Sequence, residues 1–393
     1  MADPMRILLL DTNDAMGGVV RVHLCLLEAV DRERFDLRLA CEKDSPLQAT
    51  FAAVPGQTVV PVKTGTKAPG QSGGWRGRWN DARGLLSLFR ASLRLIRYCR
   101  RERIQLIHTS DKKRALVLTL LLHRLTGIPF LYHIHNVYVD YRANRRALSQ
   151  ATAIIANSGD MRRDFIENLG VAMERIEVVY NGIDPDHYKP REAVRFRKAC
   201  RLPEDRVLIG IVSRLAPDKG QDTFLRAAAI VLRSFPEAHF VLVGDDAIYS
   251  NNADYVPALR RIVEDTGIGE HVTFAGFQSD MVDVYNTLDI VVNAALREAF
   301  GMVVVEPMAC AKPVIGTDAG GIPEILEDGE IGLLFPPGDE EALAQALLRL
   351  CEDGPLRKDM GERGRARVME RFTIAAQARA VEAVYEKTGR PMK

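Results

Sequence analysis

Short apolar runs that end in polar residues alternate with amphipathic stretches of helical period along almost the whole of this chain. In the opening, "MRILLLDTN" reads as a buried strand, and beyond Gly17 and Gly18 the residues Val19, Val22, Leu26 and Val30 recur at helical spacing. "FDLRLA", "IQLIHTS", "PFLYHIH", "AIIANS" and "IEVVYNG" continue the strands, with helical stretches between them, the longest around residues 84–103. Strands separated by helices need crossover connections, and right-handed crossovers build a parallel sheet. The fold class expected is α/β.

The alternation breaks at "NGIDPDHYKP" (181–190), where turn residues cluster. It resumes with "RVLIGIVSRL", "HFVLVGDD", "VTFAGF", "DIVVNAA" and "KPVIGTDAGG". Two α/β domains are therefore expected, 1–190 and 191–372, and 373–393 holds an amphipathic helix whose apolar stripe needs a partner. The glycine- and arginine-rich residues 64–83 look like a long exposed loop. A net charge of +1 conceals an asymmetry, +8 over residues 1–190 and −7 over the rest. That split suits either an anionic partner for the first domain or two domains that attract each other. No nucleic-acid partner is expected. No apolar run approaches the roughly 20 residues of a membrane span, and the opening lacks the apolar core of a secretory signal, so a cytoplasmic location is expected. The six cysteines are scattered without any Cys-x-x-Cys, which suggests neither a zinc cluster nor a disulfide framework.

Three stretches carry residues suited to chemistry. In "IVSRLAPDKGQDTFLRAA", Arg214 ends a strand and Lys219 precedes a helix, which places two cations at the carboxyl edge of a sheet where diphosphates bind. In "REAFGMVVVEPMAC", a helix start offers the N–H groups of Gly301, Met302 and Val303 to an anion. Glu298 and Glu306 flank that start and suit sugar hydroxyls, which donate hydrogen bonds, better than phosphates, which would repel them. Gly17-Gly18 let the backbone approach a ligand, and "FLYHIHNVY" sets His133 and His135 on one side of a strand end. For each feature a plainer reading exists: solvated surface charges, acids that complement a helix dipole, a tight turn, a packed histidine.

Taken in order, "GG" (17–18), "HIHN" (133–136), "NGID" (181–184), "SRLAPDKG" (213–220), "EAFGMVVVE" (298–306) and "TDAGGIPEIL" (317–326) resemble the retaining nucleotide-sugar glycosyltransferases of family 4. The resemblance spans nearly the whole chain. It implies a GT-B architecture, two Rossmann-like domains facing across a cleft with the C-terminal helix returning to the first. It also implies transfer from a nucleoside diphosphate sugar, UDP-sugar above others, with retention, without a metal and with no other cofactor. By the resemblance Arg214 and Lys219 neutralise the diphosphate, Glu306 binds the ribose, Glu298 a sugar hydroxyl, and the Phe300–Val303 backbone the sugar and phosphates. Phe277 sits where the family holds the base, Gly18 approaches the phosphates, and His135 contacts the donor sugar. The alternative is a catalytically silent nucleotide-sugar-binding or partner subunit. Three departures matter. Ala299 and Ala311 replace a frequent Pro and Gly, Pro307 should kink or restart the helix after Glu306, and Asp246 stands where the family commonly has glycine.

The resemblance further implies an acceptor hydroxyl on a glycan, a lipid-linked sugar or a small molecule, received by the first domain. In "LLSLFRASLRLIRYCRRER", Leu86, Phe89, Leu93 and Ile96 share one face, and Arg90, Arg94, Arg97 and Arg101 run beside it. Residues 75–103, which include Trp75 and Trp79, are where peripheral contact with an anionic membrane would be made. The ordinary case is a helix packed in the core with its arginines solvated.

Overall fold

The structure is a computed structural model; it describes residues 3–13, 16–64, 75–110, 113–135, 148–245, 254–327 and 329–389, with the backbone alone for 75–85 and 113. The described chain divides into two compact units, 1–182 with 374–393, and 183–373. Residues 183–190 thus belong to the second unit, although the break in alternation sets the boundary at 190. The Ile183 N–H donates to the Phe372 carbonyl at 2.9 Å, and Asn286 Nδ2 donates to the Lys189 carbonyl at 3.0 Å.

Each unit is built on one parallel sheet. The first runs in the order β3 (Thr58–Val62), β2 (Phe35–Glu42), β1 (Met5–Asp11), β4 (Leu106–Ser110), β5 (Phe130–Ile134), β6 (Ala153–Ala156), β7 (Ile176–Val178). In β1 the run Ile7 to Leu10 is at most 1% exposed, because helices cover both faces of the sheet and every residue must be apolar. Pro61 is confined to β3, an edge strand, where a missing N–H costs no inner ladder bond. The helix Ile374–Gly389 packs on this unit: Val381, Val384 and Tyr385 join Ile7, Leu26 and Phe35 in one core. Its Glu382 accepts from the Asp31 N–H at 2.8 Å.

The second sheet runs β10 (Val272–Gly276), β9 (Ala238–Val243), β8 (Val207–Val212), β11 (Ile290–Asn293), β12 (Val314–Thr317), β13 (Leu333–Phe335). Both orders are doubly wound, with chain direction across the sheet reversing between β1 and β4 and between β8 and β11. Ligands of such sheets bind beyond the strands' carboxyl ends at that reversal.

The long helix begins earlier than its periodicity suggests, at Trp75, and ends at Arg101. Its first turns contain glycines but no proline, and a glycine costs a helix only about 1 kcal/mol. Residues 65–74 of the expected loop lie outside the described residues. Along this helix Ala91, Leu95, Ile96 and Cys99 are buried, whereas Leu86, Phe89 and Leu93 are 48%, 59% and 36% exposed. Half of the apolar face therefore stays outside the core.

Candidate functional site

Arg214 leaves β8 two residues beyond its end, and Glu298 lies in the loop that follows β11, so both stand at the reversal of the second sheet. After Arg214 the chain makes a single turn, Pro217–Lys219, before the helix Gln221–Val231. Lys219 Nζ donates to Glu298 Oε1 at 2.6 Å. Asp218 lies 3.6 Å from both Arg214 Nη2 and Lys219 Nζ. Two cations and two acids therefore share one edge, in a pair (Lys219 and Glu298) whose side chains are only 19% and 21% exposed. A charge-assisted bond with so little water around it is stronger than the usual surface pair.

The loop that holds Glu298 has little room to move. The Gly321 N–H donates to the Glu298 carbonyl at 2.9 Å. Gly320 has φ +64°, and a Cβ on it would stand 2.0 Å from the same carbonyl oxygen. Phe300 is buried edge-on against Phe372, with ring centroids 5.8 Å apart, so its phenyl group belongs to the core. Any ligand contact from Phe300 therefore falls to its main chain. Gly301, at φ +115°, turns the chain into the helix Met302–Ala309. The N–H groups at such a start have no carbonyl of their own helix behind them.

Glu306 is held separately. It sits within that helix, 8% exposed, and its Oε2 accepts from the Tyr285 hydroxyl at 2.7 Å. Burial first and then the Glu306 charge push the Tyr285 phenol well above its ordinary range, so it remains a donor. Of the kink or restart expected at Pro307, the restart does not occur: Met302–Ala309 is one helix. In so short an element proline removes only the bond to Val303, and the next turn closes through the Cys310 N–H to the Glu306 carbonyl at 3.3 Å. Asp246 lies outside the described residues.

Phe277, 70% exposed, lines with Arg214 a cavity of about 230 Å3, together with Val212, Ser213, Gly244 and Met281. The second unit thus brings Arg214, Lys219, Glu298 and Phe277 to one edge and holds Glu306 by a different partner. Gly17, Gly18 and His135 belong to the first unit. Gly17 is in an extended conformation and caps the helix Gly18–Ala29, and a Cβ at either glycine would meet nothing within 4 Å. Neither packing nor backbone geometry requires glycine there, which leaves a bare backbone facing open space. His135 follows β5 and is 9% exposed. Asp218, Tyr285 and the support role of Gly320 and Gly321 escape a reading of the sequence. Of these only the glycine doublet leaves a local mark, and a doublet alone signals no more than a turn.

The family model for glycosyltransferase family 4 matches residues 16–187, and that for the glycosyl transferases group 1 matches residues 194–367. The chain belongs to glycosyltransferase family 4. Among curated relatives of this family 4 chain, the D-inositol 3-phosphate glycosyltransferase of Corynebacterium jeikeium is 31% identical over 248 residues, 62% of this chain and 59% of that protein. The N-acetyl-alpha-D-glucosaminyl L-malate synthase of Bacillus anthracis is 31% identical over 211 residues, 53% of each. The family 4 chain therefore aligns with little more than half the length of these relatives. Among solved structures, Anabaena Alr3699/HepE in complex with UDP superposes with a TM-score of 0.80 at 24% identity, covering 98% of this chain and 100% of that one. A glycosyltransferase from Rickettsia africae superposes with a TM-score of 0.84 at 19% identity over the whole of both chains. The fold is GT-B, two Rossmann-like domains.

Proposed function

We propose that the chain moves a sugar from a nucleoside diphosphate sugar, UDP-sugar before others, to a hydroxyl acceptor with retention of configuration. The observation that carries this reading is the Lys219–Glu298 pair beside Arg214 at the reversal of the second sheet. An incoming diphosphate would take up the two cations, and the Glu298 carboxylate that Lys219 releases would accept from a sugar hydroxyl. One arrangement thus serves both parts of the donor. A structural neighbour that holds UDP, and relatives named as glycosyltransferases, support the choice of donor class.

In this reading the largest electrostatic demand is the charge gathering on the departing phosphate. Arg214 and Lys219 meet it, helped by the main-chain N–H groups of Gly301, Met302 and Val303, so no metal or other cofactor is required. Glu306, fixed by Tyr285, accepts from the ribose hydroxyls; Phe277 lies beside the base; Gly18 gives main-chain approach to the phosphates; His135 contacts the donor sugar. The bond from the anomeric carbon to phosphate breaks as the bond to the acceptor oxygen forms on the same face, through an oxocarbenium-like state. The acceptor proton passes to the departing phosphate. The test is thermal unfolding with UDP-, GDP- and ADP-sugars. A binding donor at 100 times its dissociation constant adds about 2.7 kcal/mol of stability. UDP-sugars are expected to raise the unfolding temperature, and no shift with any of the three would remove the reading.

The exposed face of the helix Trp75–Arg101 supports a lipid-linked acceptor met at an anionic membrane surface. Leu86, Phe89 and Leu93 stand outside the core beside exposed Arg90, Arg94 and Arg97. Among the described residues no helix is long and apolar enough to cross a membrane, so contact would be peripheral. The double variant Phe89→Glu, Leu93→Glu is expected to weaken sedimentation with phosphatidylglycerol vesicles at least about tenfold. Equal sedimentation of the parent protein with neutral and anionic vesicles would count against this contact.

A further inference from the structure

Four of the chain's eight histidines, His23, His108, His133 and His135, meet in the first unit near the carboxyl ends of β1, β4 and β5. His108 Nε2 lies 3.2 Å from His133 Nδ1, and His108 Nδ1 lies 2.7 Å from the Tyr385 hydroxyl on the C-terminal helix. The His133 and His135 ring centroids are 4.1 Å apart. His23 turns an edge toward His135 at 5.6 Å and toward His108 at 6.0 Å. His23 is itself held by Asp11, whose Oδ2 is 2.7 Å from its Nδ1. Asn13 donates its main-chain and side-chain N–H groups to the other Asp11 oxygen at 2.7 and 2.6 Å. Among the described residues no group of three or more His, Cys, Asp or Glu is arranged to hold a metal ion, so another account of the cluster is needed.

Burial, reinforced by the neighbouring imidazoles, pushes His108 and His133 well below the usual histidine range, so both are neutral at pH 7. Burial raises the Asp11 carboxyl, but His23 and Asn13 outweigh it and hold it below its usual range, so it stays ionised. A neutral imidazole has one donor and one acceptor, and His108 has a partner at each nitrogen. The two rings are therefore coupled. If the Tyr385 hydroxyl donates to His108 Nδ1, His108 Nε2–H donates to His133 Nδ1 and His133 carries its hydrogen on Nε2. If the phenol accepts instead, both bonds reverse and His133 Nε2 is bare.

We propose that Tyr385, His108 and His133 form a positioning line behind His135, through which the C-terminal helix sets the hydrogen of His133 and, by ring contact, the plane of His135. Its consequence for transfer rests on the reading in which His135 contacts the donor sugar. Tyr385→Phe removes one hydroxyl and keeps the packed ring. In this variant the imidazole nitrogen signals of His108 and His133 are expected to shift in 15N NMR, with those of His135 following. At the same time kcat per folded molecule is expected to fall about tenfold, with donor KM changed less than threefold.

Unmoved His133 and His135 signals in the folded variant would overturn the positioning line, as would shifted signals with an unchanged kcat where His135→Ala is inactive. Should Tyr385→Phe fail to fold, His108→Leu, which removes both ring nitrogens from the line, is read in the same way through the His133 and His135 signals and kcat. Full activity in His135→Ala would remove the donor-contact reading instead, and the nitrogen signals would still decide the line.

Discussion

Lys219→Ala is expected to lower kcat/KM for sugar transfer by roughly 10- to 150-fold with the fold intact, since one charge-assisted hydrogen bond is worth about 1.5–3 kcal/mol. The side chain donates to Glu298 at 2.6 Å and lies on a turn rather than in a core, so its removal opens no cavity. Glu298→Ala is expected to have an effect of the same order. The more telling measurement is the double variant. With Lys219 gone, Glu298 has lost its cation and repels the incoming phosphates, so part of each single loss belongs to the stranded partner. The double variant should therefore lose clearly less than the sum of the two. Strict additivity in a double-mutant cycle would show that the two residues act on separate parts of the ligand without sensing each other, and wild-type turnover in both single variants would remove them from the site.

Gly320→Ala is expected to damage the same loop from behind. The new Cβ would stand 2.0 Å from the Glu298 carbonyl oxygen, a main-chain atom with no rotamer to escape into, at a φ of +64° that side chains rarely adopt. Strain of this kind costs on the order of 1–3 kcal/mol for the conformation alone, before the overlap is relieved. Relief moves the segment whose carbonyl accepts from Gly321, so Glu298 shifts relative to Lys219. The variant should melt several degrees lower and lose most of its transfer activity even where it remains folded. An unchanged melting temperature with unchanged kcat would show that the loop is free to retreat, and that Glu298 needs no fixed support.

The alternation of strands and helices was legible because both sheets are parallel and covered on two faces, which forces whole runs such as Ile7 to Leu10 to be apolar. The strand-end place of Arg214 and the place of Glu298 in a loop between a strand and a helix were legible for the same reason, since each comes after such a run. Their arrangement was not. Lys219 and Glu298 are 79 positions apart, and Tyr285 reaches Glu306 from another helix. Pairings of that span leave no period in a sequence. The spacing of His133 and His135 on one strand could be read, whereas the meeting with His23, His108 and Tyr385 depends on which strands become neighbours. The helix Trp75–Arg101 shows a different limit. Periodicity identifies an apolar stripe but not what covers it, and here the structure buries Ile96 while leaving Leu86, Phe89 and Leu93 outside.

The route of the chain also bears on how it is made. Ala378, Val381, Val384 and Tyr385 complete a core whose other buried members all precede residue 183, so the unit begun first on the ribosome is the one finished last. Until the final sixteen-residue helix emerges, that half waits with an apolar groove uncovered while its downstream neighbour can already close. A chain cut short near Thr373 should consequently be prone to aggregate through its amino-terminal half.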